Sequence, residues 1–296
     1  MVQLVNKKGN IFGDDIAYVE RWDFSRANMN EESRINAITQ VASVCYQNPK
    51  ALNSDSLYNR LMAESIGLPS SSFEFVPILL SIADRSKTFM LWDSQGKKRY
   101  GLLNTRKYGE DVEDGKYLLT NLRALIEDVG AEKSKEFYNT EEECDIIKKH
   151  FKVFNYKVDL PTRSQMVRHR CNWQELSRRY VSGKRVPFDF YVSDKMKDVM
   201  SEYKDENGIS NIDNQMLDIS TNDILHICIN HYYKALEDGV KPQEARRIIP
   251  QACYTQIWGA FQPAQYENFM KLRDDEVHAQ WEIAQVAKAM RELVNE

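Results

Sequence analysis

No stretch of this chain approaches the roughly eighteen uncharged apolar residues that a helical membrane span requires, and the N-terminus lacks the apolar core of a signal peptide. Cysteine is sparse. The five thiols, Cys45, Cys144, Cys171, Cys228 and Cys253, are widely spaced, odd in number and form no C-x-x-C. They read as reduced thiols in a cytoplasmic protein rather than a disulfide framework. There is no internal repeat, no low-complexity stretch and no long flexible linker. Positive charge is not in surplus either: 40 Lys and Arg face 44 Asp and Glu, for a formal net charge of −4. General nucleic-acid affinity usually shows as an overall basic balance, so it is not expected here.

Metal chemistry is equally poorly supported. His226 and His231 lie five apart, a poor fit to the helical i, i+4 pair, and no third ligand is nearby. His150 and His278 read as surface or interface residues, and Trp173, Trp258 and Trp281 as core or pocket walls. Ser177 has no base at a recognisable spacing, so a covalent nucleophile is not expected.

What is present is ordinary globular material. With 296 residues, 42% hydrophobic and 28% charged, the chain can bury a substantial core as one domain carrying an insertion. Short β-like pieces precede about Arg26, with a turn at Gly9-Asn10. Asn30, followed by Glu31 and Glu32, marks the start of a helix running to about Tyr46. A second helix is expected from Ser54 to Ile66, closed by Gly67 and Pro69. A hairpin is expected over 88–103, a helix from Lys116 to Val129, and a capped helix from Thr140 toward Phe151. Val153 to Val158 alternates as a strand, and Pro161 opens a helix reaching Arg170. Val186 to Val192 reads as a further strand. The last third reads as mostly helical, at about 194–205, 214–237, 242–249, 263–273 and 276–294.

Against the acidic background, residues 163–185 hold seven Arg and Lys and a single acid, Glu175. The run admits a solvated basic face or a focused pocket for phosphates. Successive helical residues point about 100° apart, so Arg168-His169-Arg170 cannot all serve one small anion but can reach two or more around a helix end.

Arg168-His169-Arg170, then Ser177 with Arg179-Tyr180 after it, resembles the signature of the flavin-dependent thymidylate synthases. Six residues separate Arg170 from Ser177, one fewer than in the family, and Gln174-Glu175 stands where Asn-Glu is usual. A second block follows the family's order: Arg246 four residues before Pro250, Tyr254-Thr255, the run Asn268 to Arg273, and Ala279-Gln280-Trp281-Glu282-Ile283. A weaker third is Ala42 to Tyr46. The likeness covers roughly residues 30–75 and 153–290.

The resemblance implies an α/β (α+β) fold, a mixed sheet wrapped by helices. It implies a single domain over 1–296, interrupted at about 77–152 by an inserted hairpin-plus-helices segment expected to lie outside the assembly and to carry no second active site. It implies reductive methylation of dUMP to dTMP, with methylenetetrahydrofolate as carbon donor, NADPH as reductant and FAD as cofactor, in a homotetramer with shared sites. By the same resemblance Arg168, His169 and Arg170 hold FAD together with Ser71, Gln262 and Asn268. Gln165, Arg168, Glu175, Ser177, Arg179, Arg246 and Arg273 bind dUMP, and Arg273 acts catalytically on the uracil ring. Ser71 and Glu74 survive from a family segment whose two histidines are absent here.

Several residues keep a plainer alternative. Gln165 could be a partly exposed helix residue, Glu175 an ion-pair partner of Arg178 or Arg179, and Arg273 a partner of Asp274, Asp275 or Glu276. A same-scaffold enzyme modifying another pyrimidine nucleotide, for example by hydroxymethyl transfer, remains open. So does an RNA-binding module that stacks bases on Trp173 and Tyr180.

Overall fold

A central antiparallel sheet carries the architecture, in the order Val2–Gln3, Tyr18–Trp22, Lys152–Asp159, Tyr254–Phe261, Asn172–Glu175. The computed structural model describes residues 2–3, 17–63, 68–81, 90–92, 98–100, 102–202, 211–212, 215–216 and 218–295. The Gly9-Asn10 turn, the end of the expected helix at 64–67 and the tip of the expected hairpin at 93–97 lie outside those residues. The fold is the expected mixture of sheet and helices.

The two longest strands pair along their full lengths, Tyr254 with Asp159 through Phe261 with Lys152. Phe154, Tyr156, Ile257 and Phe261 are wholly buried, and helix Trp281–Asn295 packs its Ile283, Val286 and Met290 in the same cluster. On the other side, helix Glu31–Tyr46 buries Ile38, Val41 and Ala42 near Trp258. Asn30 caps that helix as expected, its side chain accepting from the Ser33 amide while Ser33 Oγ accepts from the Asn30 amide. Thr140 and Glu143 form the same reciprocal cap on helix Glu141–His150.

The segment at 77–152 is knitted into the core of the chain. Strands Pro77–Ser81, Tyr117–Asn121 and Glu110–Val112 form a separate antiparallel sheet. Its Ile78, Leu118 and Leu119 join Ile38 and Val41 in one cluster. Strands Met90–Trp92 and Lys98–Tyr100 pair antiparallel, within the expected hairpin. The expected helix from Lys116 is divided: Tyr117–Asn121 is a strand, and only Leu122–Val129 is helical, with Asn121 Oδ1 capping the Ala124 amide at 3.0 Å.

Among the described residues, 186–192 form no named strand; Phe190 makes an isolated bridge to Cys253. The carbonyls of Val186 and Pro187 accept instead from the Arg178 guanidinium, at 2.6 and 3.3 Å. The expected alternation survives as burial, for Phe188, Phe190 and Val192 pack with Tyr232 of the long helix Thr221–Glu237. That helix begins later than expected, after strand Asp218–Ser220, and helix Asp194–Lys197 gives way to strand Met200–Glu202.

Candidate functional site

The site begins where helix Leu160–Met166 stops. The expected helix does not reach Arg170; it ends four residues earlier, and Arg168-His169-Arg170 occupies the turn into strand Asn172–Glu175. The His169 amide donates to the Met166 carbonyl at 3.1 Å, and the Cys171 amide to the His169 carbonyl at 3.0 Å. This tight turn splays the three side chains. Arg168 and Arg170 are exposed, whereas His169 is buried. Neither arginine makes a hydrogen bond or ion pair among the described residues.

His169 is the anchor of the turn. Its ring lies 4.7 Å from that of Phe269, and its carbonyl accepts from the Trp173 indole N–H at 3.1 Å. Trp173 fits because Gly259 faces it across the strand pair; a Cβ there would come within 2.5 Å of the indole. His169 Nε2 then accepts from Arg273 Nε at 2.8 Å, across 104 residues of sequence. An imidazole accepting at Nε2 is neutral and carries its proton on Nδ1.

Arg273 closes helix Pro263–Arg273. None of the acids that follow it is its partner: Asp274 pairs with Arg291, and Asp275 with His278 at 2.8 Å. Burial, and then the neighbouring charge of Arg168, hold the Arg273 guanidinium below its usual pKa. Two cations side by side without a carboxylate between them form an anion-demanding arrangement. Gln165, one turn before Arg168, is half-buried and donates to Gln280 at 2.5 Å. The motif residues near 165–170, 273 and 280 thus meet within one chain.

The other candidates fall elsewhere. Glu175 does not pair with Arg178 or Arg179. One carboxylate oxygen accepts from Arg163, and the other from the Thr255 hydroxyl at 3.0 Å. Ser177 is half-buried; its amide donates to the Cys45 carbonyl at 3.2 Å, and its own carbonyl accepts from Tyr180 and Val181. Arg179 is exposed, lying over the Tyr180 ring at 5.2 Å. Arg246 is exposed on the turn after helix Pro242–Ala245 and shares no described contact with the cations at 168 and 273.

Ser71 donates to Gln174 Oε1 at 2.7 Å, which brings the segment at 71–75 against the strand after the arginine turn. Gln262 is buried, and Asn268 is exposed on its helix. Gln262 and Arg170 line a common cleft of about 780 Å³.

Sequence reasoning missed Arg163 and the part played by Cys45. Cys45 Sγ donates to the Glu175 carbonyl at 3.0 Å and accepts from Gln174 Nε2 at 2.8 Å. The signal was already in the chain, since Cys45 belongs to the third motif block. Arg163 looked like one more member of the basic run, and only the turn shows that it serves Glu175. Among the described residues no group of His, Cys, Asp and Glu is arranged to hold a metal ion, and no helix is long and apolar enough to cross a membrane.

A pH dependence follows from the His169–Arg273 bond. Burial first, and then the Arg273 charge, push the His169 pKa below its ordinary 6.5. The stability linked to this neutral ring is therefore fully present above 6.5 and is lost as pH falls through that value toward the depressed folded pKa. Thermal unfolding measured from about pH 7.5 to about pH 5 should show a steeper loss in the native chain than in His169→Ala. Equal slopes would show that the ring contributes nothing to the acid response.

The family model described as thymidylate synthase complementing protein matches residues 146–296. The chain is 32% identical over 151 residues to a flavin-dependent thymidylate synthase of Thermosipho africanus, covering 49% of this chain and 64% of that one. It is 30% identical over 172 residues to that of Thermosipho melanesiensis, covering 56% and 72%. For the Thermotoga neapolitana enzyme the figures are 29% over 147 residues, 49% and 62%. The match thus spans less than two thirds of two of these three relatives and about half of the present chain. The matched span contains the arginine turn, the Tyr254–Phe261 strand and the Arg273 helix, the parts that the structure brings together around His169, and on these grounds the chain belongs to the thymidylate synthase complementing protein family.

Proposed function

We propose that the protein is an enzyme that converts dUMP to dTMP by reductive methylation, taking the carbon from methylenetetrahydrofolate and reducing equivalents from NADPH. The observation that carries this reading is the meeting of Arg168, His169 and Arg273 in one anion-demanding corner. The uncommitted guanidinium groups of Arg168 and Arg170 and the cleft beside Arg170 suit a flavin dinucleotide, whose pyrophosphate needs such planar donors. When bound, FAD supplies the hydride chemistry; the protein supplies binding, orientation and electrostatics. The His169 bond uses only Nε of Arg273, and its two terminal nitrogens have no hydrogen-bond partner among the described residues. Those nitrogens suit O4 or N3 of a uracil ring, where negative charge develops as C5 becomes nucleophilic. Ser177, Arg179 and Arg246 are the proposed phosphate residues, with Gln165 and Glu175 at the base and sugar. Ser71, Gln262 and Asn268 are the proposed flavin contacts beyond the turn.

The test is tritium release from dUMP labelled at C5, with methylenetetrahydrofolate, NADPH and FAD present. Label released only when all are supplied is the expected result, and none under any of these conditions rejects the reading.

One domain of this family, interrupted at about 77–152, is the proposed organisation, and a homotetramer in the cytoplasm the proposed state. Supporting the assembly, Arg246 stands apart from the other anion residues, and Ile224, Ile227 and Ile248 are 45%, 57% and 41% exposed on the same part of the chain. Light scattering at assay concentration should give a tetramer; a fully active monomer would overturn the shared-site reading.

A further inference from the structure

The arginine turn is closed at its base by an ion pair. Arg163, on helix Leu160–Met166, meets Glu175, the last residue of strand Asn172–Glu175, so the helix before the turn is tied to the strand after it. Arg163 Nε donates to Glu175 Oε2 at 2.8 Å, and Nη2 donates to the same oxygen. The Thr255 hydroxyl donates to Oε1 at 3.0 Å. The backbone is fixed here as well. The Glu175 carbonyl accepts from Cys45 Sγ at 3.0 Å, and the next amide, of Leu176, donates to the Gln256 carbonyl at 2.9 Å. The carboxylate is thus held in one orientation from several directions. The side chains of Arg163 and Glu175 are nevertheless 33% and 22% exposed, so a ligand can reach the pair.

We propose that Arg163 is the specificity-determining residue by which this site takes a 2′-deoxyribonucleotide and turns away a ribonucleotide. The proposal rests on the reading above in which Glu175 meets the sugar of the substrate. A carboxylate has about four acceptor positions, two on each oxygen. Arg163 fills both positions on Oε2 and Thr255 fills one on Oε1, which leaves a single position open among the described residues. One position suits one hydroxyl. A deoxyribose 5′-phosphate has only its 3′-hydroxyl to offer. A ribose brings a second beside it, and the hydrogen of that 2′-hydroxyl would face a guanidinium, which only donates.

The effect of Arg163 is therefore exerted through Glu175. With both oxygens open, the carboxylate would accept one hydroxyl on each and suit the vicinal pair of a ribose. By occupying Oε2, the guanidinium removes that second place. A hydroxyl taken out of water without a partner weakens binding by about tenfold or more.

The probes are dUMP, UMP and 2′,3′-dideoxyUMP, titrated calorimetrically into the full chain with FAD present and folate omitted, so that no turnover occurs. The native chain should bind dUMP about tenfold or more tightly than either of the others. Arg163→Ala and Arg163→Met both open Oε2, and the second keeps the packing of the side-chain stem in case the first fails to fold. In these variants the ratio of the UMP to the dUMP dissociation constant should fall about tenfold, toward one. A merely structural role would weaken both nucleotides alike and leave the ratio where it was; that result in a folded variant overturns the proposal. So does a native chain that binds UMP or dideoxyUMP as tightly as dUMP, since the open position would then not be reading the sugar. A native chain that binds none of the three removes the substrate reading and this inference together. Selective dUMP binding with an unchanged ratio in the variants removes this inference alone.

Discussion

Arg273→Ala should lower kcat for dUMP methylation roughly a hundredfold or more, since losing one preorganised charge-stabilising donor typically costs about that much. The guanidinium is held before substrate arrives: its Nε is fixed on His169, whose ring also packs against Phe269 of the same helix as Arg273. The reacting end therefore pays no reorganisation when charge grows on the uracil. Because the proposed charge exists only on the way to the transition state, the loss should fall on kcat more than on KM. Arg179→Ala and Arg246→Ala should do the reverse, raising KM with smaller changes in kcat, because a phosphate does not change during the reaction. Steady-state kinetics at saturating folate and NADPH separate the two classes. A near-normal kcat for Arg273→Ala at saturating dUMP would make Arg273 a binding or structural residue.

The second large effect concerns the cofactor. A chain carrying both Arg168→Ala and His169→Ala should purify without flavin, whereas the native chain should show the visible absorbance of an oxidised flavin. Arg168 is exposed and uncommitted, so its loss removes a ligand contact without breaking one inside the protein. The His169 ring contributes by aiming Arg273 and packing on Phe269. Its carbonyl, which holds Trp173, is backbone and survives the substitution. Circular dichroism should accordingly remain native. Full flavin occupancy in a folded double variant would move the cofactor away from this turn.

How much of this was legible in the sequence depended on whether the signal was local. The caps at Asn30 and Thr140 were readable because a cap is decided within four residues. The strand at 117–121 was not. Leu118, Leu119, Leu122, Leu125 and Ile126 fit a helical period as well as they fit a strand followed by a helix. Pairing with Pro77–Ser81, forty residues away, settles the matter. Similarly, Val186 to Val192 has a strand's alternation, but Arg178 claims two of the carbonyls, and no local pattern announces that. In the site, the motif spacing gave the residue types, and the order of the blocks gave the expectation that they converge. The turn at Arg168–Arg170, and the choice of Arg163 rather than Arg178 or Arg179 for Glu175, depend on where the preceding helix stops. That boundary is where single-sequence reading is weakest.

The missing side chain at Gly259 has a consequence for how this protein can drift over generations. The Trp173 indole occupies the volume a Cβ would take, and the same indole steadies the carbonyl of the residue whose ring aims Arg273. The two positions are therefore not free to vary one at a time. A larger residue at 259 is admissible only after 173 has become smaller, and that first step withdraws the indole N–H from His169 before anything replaces it. Lineages that keep Trp173 should keep Gly259. Those that abandon the pair should show a new donor near the His169 carbonyl, or should have given up the guanidinium at 273 as well.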